Sequence, residues 1–313
     1  MIAVVAICLT LPTAHPAMFG ALQQSDDGLL HLYRLVALDS SIRQGDLWPR
    51  YSPGMAYGYG IPTFNYYSPL SLYPMEALHL VFGLRFVDAF LLGMILYAIL
   101  GAAGAYLLGE SWGGPLAGLI ASAAYAYAPY TLINWLRRGA VAEFLALALL
   151  TWALWAFRRL SLHGRRRDFV LAAGLFTLII LTHNIMALLG AALLAAYSML
   201  LWWTSPDPPR TFWRLALALL LALGLAAFYW MPALFELRYV QIERAATGIG
   251  AAAGGQYFQT LSDIFALPHS ADLTQMQVRA EHPLGWPQVA LALAAVGLIV
   301  WGDYALNLND TTA

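Results

Sequence analysis

Apolar residues fall along this chain in long unbroken blocks, separated by short polar breaks, rather than alternating with a strand-like period of two. A hydrocarbon layer about 30 Å thick takes roughly 20 apolar residues wound as a helix. Blocks of that kind lie at about 2–22, 86–108, 115–133, 141–157, 169–182, 185–203, 213–231 and 286–306. The fifth is short and meets the sixth at His183-Asn184. The first is irregular: its clean run stops at Leu11, ahead of Pro12, His15 and Pro16, with Ala14 and Ala17 resembling a small-residue cleavage signal. No arginine precedes it, as a signal peptide would require, so it reads as an anchor helix. The pattern predicts an all-α, polytopic bundle of about eight membrane-spanning helices in a single domain, 1–313, with outer loops at 23–85 and 232–285.

Composition agrees. Of 313 residues 61% are hydrophobic and 11% charged, against roughly 25% charged in a soluble domain. A cytosolic enzyme, a disordered chain and a disulfide scaffold are excluded, and the lone Cys8 rules out an intramolecular disulfide and a cysteine-ligated zinc. With a net charge of −1 there is no basic field for nucleic acid.

All sixteen basic residues are arginines, and their placement orients the chain. The linker 158–168 holds Arg158, Arg159, Arg165, Arg166 and Arg167, and Arg210 and Arg214 follow the next pair of spans. Both clusters belong on the cytoplasmic side. The loops 23–85 and 232–285 then lie outside, with the turns at Arg137-Arg138 and His183-Asn184. The turn at 109–114 is cytoplasmic. Glycines such as Gly101, Gly104, Gly113, Gly114 and Gly118 read as small residues at helix contacts.

Nearly every polar residue with chemical potential falls on the outer face. From Asp27 the first loop reads as an amphipathic helix, with Ser25 or Asp26 as N-cap. At 3.6 residues per turn Asp27, His31 and Arg34 share a face, while Leu29, Leu32, Tyr33 and Val36 supply apolar surface. An acid, an imidazole and a guanidinium together suit an anionic substrate or a divalent cation; a capped surface helix with an Asp27–His31 pair accounts for the same spacing. The segment 48–73 packs eight aromatics among five prolines spread over 49–74, a frame for stacking on sugar or gripping an isoprenoid, or an interfacial aromatic belt. Glu143, one turn into the fourth span, is a functional candidate by its depth or an ion-pair partner of Arg138. His183-Asn184 either binds phosphate or caps a helix.

The run DD…H..R, GDLWPR, GYGIPTFNYYSPL, RRGAVAE, THN and YWMPALFE resembles, over about residues 25–240, the bacterial family called 6-pyruvoyl-tetrahydropterin synthase-related membrane proteins. An acidic pair just after the first span further resembles the GT-C class of membrane glycosyltransferases. Seven histidines scattered over both faces do not resemble a pterin synthase zinc site. The GT-C likeness implies transfer of a sugar from a polyprenyl-phosphate carrier to a cell-envelope acceptor, at the outer face of the bacterial plasma membrane. It implies Asp27 or Asp26 as general base, with Asp27 a candidate ligand for a divalent metal. Asp27 is favoured because it shares a face with His31 and Arg34, whereas Asp26 sits where a cap is wanted. The likeness assigns substrate binding to His31, Arg34, Arg138, Glu143, His183 and Asn184, with Tyr66 and Tyr67 lining a lipid or sugar groove. The Gly-Ala stretch within 232–285 would be a lid or a plain linker. GT-C proteins usually run longer, so the chain reads as part of a larger protein or a shortened lineage. The competing reading is a non-enzymatic membrane protein, a transporter of lipid-linked sugar or an assembly subunit.

Overall fold

The computed structural model describes residues 2–19, 25–240, 260–267 and 284–294. Among the described residues the chain is helical, with one isolated bridge between Ser52 and Ile61 and no strand. It divides into two compact units, one of residues 1–126 and 134–241 and the other of residues 127–133 and 242–313.

The larger unit opens with α1 (Ile2–Phe19) and the helix α2 (Gly28–Arg43). A proline- and glycine-rich stretch follows, containing the single turn α3 (Thr63–Tyr66) and leading into α4 (Tyr73–Phe82). Pro74 sits in the first turn of α4, where its missing N–H costs nothing, and Gly83 ends the helix in the left-handed conformation at φ 65°.

The next helix, α5 (Phe86–Ala126), has 41 residues and would run about 60 Å if straight, twice the hydrocarbon thickness. It does not run straight. Gly113 and Gly114 leave helical geometry, Gly114 at φ 76° and ψ −172°, and Pro115 starts the return arm. Ser122 on that arm donates to the Ala102 carbonyl at 2.9 Å, and a side chain at Gly101 would collide with the Tyr125 ring. The two arms are therefore antiparallel, turning where the sequence placed a break. Gly101, Gly104 and Gly118 lie at helix contacts as expected, but Gly113 and Gly114 make the turn itself.

At the centre of this unit is α7 (Val141–His163), which packs against α5, α8 (Arg166–Ile180), α9 (Asn184–Trp203) and α10 (Pro208–Leu225). Its alanines 142, 146, 148, 153 and 156 are buried and let neighbouring backbones approach, while Phe144 and Phe157 fill the space between. Lipid tails are as apolar as leucine, so close packing of this kind holds such helices together. Asp207 caps α10 ahead of Pro208 and Pro209, and a bend of 64° separates α10 from α11 (Ala227–Phe235).

Among the described residues three helices are long and apolar enough to cross a membrane: α5, α7 and α9. The bent pair of α10 and α11 would make four. The count is below the eight apolar blocks because α8 has only 15 residues and the apolar part of α1 covers only Val4–Thr13. In addition, both arms of the folded α5 are one helix by this criterion.

In the smaller unit, α6 (Pro129–Ile133) and a turn at Leu261–Ile264, closed by a capping box between Thr260 and Asp263, are described. Residues 286–294 are helical, and the remainder of the block 286–306 lies outside the described residues. Most of the loop 232–285, including the Gly-Ala stretch assigned as lid or linker, lies outside them as well.

Candidate functional site

The site is built where the start of α2 meets the turn before α7. Residues Asn134–Arg138 form one π-helical turn, a geometry that places two arginine carbonyls in the open. The Asp26 N–H donates to the Arg137 carbonyl at 3.1 Å and the Asp27 N–H to the Arg138 carbonyl at 2.8 Å. Gly139 follows at φ 62°, and a β-carbon there would sit 2.9 Å from the Gly28 nitrogen. Backbone conformation and close approach both require glycine at that point.

Helix α2 has Asp27 at its cap position, but the cap bond comes from Ser25, whose hydroxyl accepts the Gly28 N–H at 3.1 Å. Asp26 is exposed and provides no cap, contrary to the role its position suggested. The Asp27 side chain is half-buried and makes neither hydrogen bond nor ion pair among the described residues. Burial raises its pKa, opposed by Arg138 and Arg34 and reinforced by Asp26 and Glu143.

One turn on, His31 is 2% exposed. An Arg34 N–H faces its Nδ1 at 3.4 Å and the Tyr67 hydroxyl faces its Nε2 at 3.3 Å. A guanidinium can only donate, so Nδ1 is the acceptor and the imidazole proton resides on Nε2. Burial first, then Arg34 and His183, push the His31 pKa down to about 3. Arg34 stacks on the Tyr67 ring at 4.0 Å, and its buried Nε–H has no partner. Among the described residues it also has no carboxylate within ion-pair distance, although Asp27 lies close enough to favour its charge.

From the other side, Arg138 pairs with the buried Glu143 at 2.9 Å, the ion pair that the sequence left as one of two readings. His183 caps α9 by accepting the Met186 N–H on Nδ1 at 3.1 Å, which leaves its Nε2 as the donor. Its ring meets Tyr67 edge-on at 6.4 Å, and burial lowers its pKa. Asp27, His31, Arg34, Tyr67, Arg138, Glu143 and His183 thus converge.

Asn184 and Tyr66 stand beside this group and hold it. The Asn184 amide donates to the Tyr66 carbonyl at 2.9 Å and accepts from the Tyr229 hydroxyl at 2.8 Å. The Tyr66 hydroxyl donates to the Glu236 carbonyl at 3.0 Å. Sequence reasoning missed the strongest part of this support: Arg50 donates to both Glu236 oxygens at 2.7 and 2.8 Å and to Asn65 at 2.7 Å, and Asn65 donates to Glu236 at 2.8 Å. A second polar group was also missed. Asp39 on α2 pairs with Arg43 at 2.6 Å and faces Glu76 on α4. Burial and Asp39 push the Glu76 carboxyl up to about 7.

Three metal donors do not come together anywhere among the described residues. Asp27 is flanked by guanidiniums, which repel a cation, so the residues present do not suit the divalent metal considered for it. Behind the aromatic segment a cavity of about 920 Å³ opens between helices, lined by apolar residues including Leu70, Tyr73, Tyr97, Leu100, Leu149 and Trp152.

The buried imidazole sets a pH dependence. A histidine with a folded pKa near 3 and an unfolded value of 6.5 binds its proton mainly in the unfolded state, so its stabilising contribution is full above pH 6.5. It is lost as pH falls towards 3, by at most about 1.4 kcal/mol per pH unit. Melting temperature followed from pH 8 to 4 in detergent should drop less steeply in His31→Gln than in the native protein. Parallel curves would show that His31 is not held neutral.

No curated protein matches the chain. A family described as "6-pyruvoyl-tetrahydropterin synthase related domain; membrane protein" matches residues 64–248. That range contains Tyr66, Tyr67, Arg138, Glu143, His183, Asn184 and Glu236 and leaves α2 outside. With more than half of its length matched, the chain belongs to the 6-pyruvoyl-tetrahydropterin synthase-related family of membrane proteins.

Proposed function

We propose that this chain is a membrane glycosyltransferase of GT-C type, with about eight spans and its site facing outward across the plasma membrane. It would move a sugar from a polyprenyl-phosphate carrier to a cell-envelope acceptor. One observation carries the reading: Asp27, a half-buried carboxylate, lies near Arg34, and among the described residues neither the Asp27 carboxylate nor the buried Arg34 Nε–H has a hydrogen-bond partner. A base and an anion site in one place are what such a transfer needs.

The acceptor hydroxyl attacks the anomeric carbon and gives its proton to Asp27, whose raised pKa makes it a better base. The new C–O bond forms as the bond from the anomeric carbon to the carrier phosphate breaks. The electron pair leaves with that phosphate, and its added charge would meet Arg34, held flat on Tyr67, and the Nε2–H of His183. Arg138 is engaged by Glu143 and would act as a longer-range charge. The apolar cavity offers room for the carrier's isoprenoid chain. No step requires a metal.

Asp27→Asn keeps the size of the side chain and removes its basicity, so transfer in membranes supplied with polyprenyl-phosphate sugars should fall roughly 10²-fold or more. Asp26→Asn should be mild. Equal, small losses would remove the first outer loop from the chemistry.

Sidedness is tested separately. In a Cys8→Ser background, Tyr57→Cys, at a fully exposed loop position, should react with an impermeant maleimide applied to intact cells. Arg166→Cys should react only after lysis. The opposite pattern would put the site on the cytoplasmic face.

A further inference from the structure

The end of the bundle where α7 turns into α8 and α9 into α10 carries seven arginines: 158, 159, 165, 166, 167, 210 and 214. Three are engaged within the fold. Arg158 lies over the Trp112 ring at 3.5 Å and donates to the Ser111 carbonyl, Arg159 pairs with the buried Asp168 at 2.9 Å, and Arg210 pairs with Asp207 at 3.0 Å. Asp207 and the Oδ1 of Asp168 are thereby engaged, while the buried Asp168 Oδ2 has no hydrogen-bond partner among the described residues. Arg165, Arg166, Arg167 and Arg214 have no acidic partner among the described residues.

The fold gathers these four rather than spreading them. Gly164, at φ 59°, ends α7 and turns the chain directly into α8. The Arg214 guanidinium, from α10, occupies the space where a side chain at Gly164 would stand. It is therefore held against the turn that carries Arg165, Arg166 and Arg167. Helix α8 starts there without a side-chain cap, so its unpaired N–H groups add positive potential at the same point. Like charges packed this closely repel one another unless an anion lies between them.

The surroundings identify that anion. Trp202, Phe212 and Trp213 form an edge-to-face series beside the cluster, with Trp203 and Leu162 largely exposed. Indole rings at this position mark the depth of lipid headgroups, and basic pockets between helices at that depth hold lipid phosphates. We infer that Arg165, Arg166, Arg167 and Arg214 form a binding site for the headgroup phosphate of an anionic phospholipid. Its acyl chains lie along the exposed apolar faces of α9 and α10. The site is at the opposite end of α7 from Asp27 and does not depend on the function proposed above.

The test uses the whole protein in detergent, with phosphatidylglycerol, phosphatidylcholine and sn-glycerol 3-phosphate as probes, read by native mass spectrometry and melting temperature. The native protein should retain phosphatidylglycerol at least about ten-fold over phosphatidylcholine and melt higher with it, with about five-fold lost per arginine removed. The triple variant Arg166→Gln, Arg167→Gln, Arg214→Gln should approach parity between the two lipids, while Arg210→Gln, which removes an engaged arginine, should behave as native. Should the triple variant fail to fold, Arg214→Gln alone should lose about five-fold. Equal retention of both lipids by the native protein, undiminished selectivity in the variants, or equal protection by glycerol phosphate would overturn the assignment.

Discussion

Two backbone hydrogen bonds decide where the chemistry of this molecule can sit. The amides of Asp26 and Asp27 donate to the carbonyls of Arg137 and Arg138, more than a hundred residues away, and pin the start of α2 to the turn before the central helix α7. Each bond is worth only about 1 kcal/mol net, but their geometric effect is large. They place Asp27 within electrostatic reach of Arg138 and Glu143 and direct His31 and Arg34 towards Tyr67. Gly139 makes the approach feasible, since any side chain there would meet the backbone of Gly28.

A second set of contacts holds the aromatic segment over the same place. Arg50, Asn65 and Glu236 form a closed ion-pair and amide group, Asn184 joins Tyr66 to Tyr229, and the Ser68 hydroxyl donates to the Leu181 carbonyl. Arg50 and Glu236 are both partly exposed, so the pair adds little stability in water. Its effect is to fix register between an irregular loop and the end of α11. Regular secondary structure supplies the frame, and side-chain hydrogen bonds across long sequence separations supply the position.

That division explains what was legible in the sequence. Helical periodicity put Asp27, His31 and Arg34 on one face, and the apolar blocks gave an all-helical chain with a break near 109–114; both are local properties. The pairing of Arg138 with Glu143, five residues on, was within reach for the same reason. Ser25, rather than Asp26, became the cap because the backbone of Asp26 is drawn to Arg137, a tertiary contact that no spacing encodes. Glu236 was visible only as an acid after a proline, and nothing local links it to Arg50. Glu76 passed unnoticed because its meaning comes from Asp39 on another helix. Family membership rests on residues 64–248, so α2 and the acidic pair before it depend on geometry for their place in the argument.

The central claim is that Arg34, stacked on Tyr67 and with no carboxylate at ion-pair distance among the described residues, is an anion site beside Asp27, the proposed base. Equilibrium binding of a polyprenyl monophosphate to the purified protein tests it most directly, because binding is read without any transfer. Losing one charged hydrogen-bond partner costs about 1.5–3 kcal/mol, so Arg34→Gln should weaken Kd by about 10- to 150-fold while Asp27→Asn binds at least as tightly as the native protein. Unchanged affinity in Arg34→Gln would contradict the account.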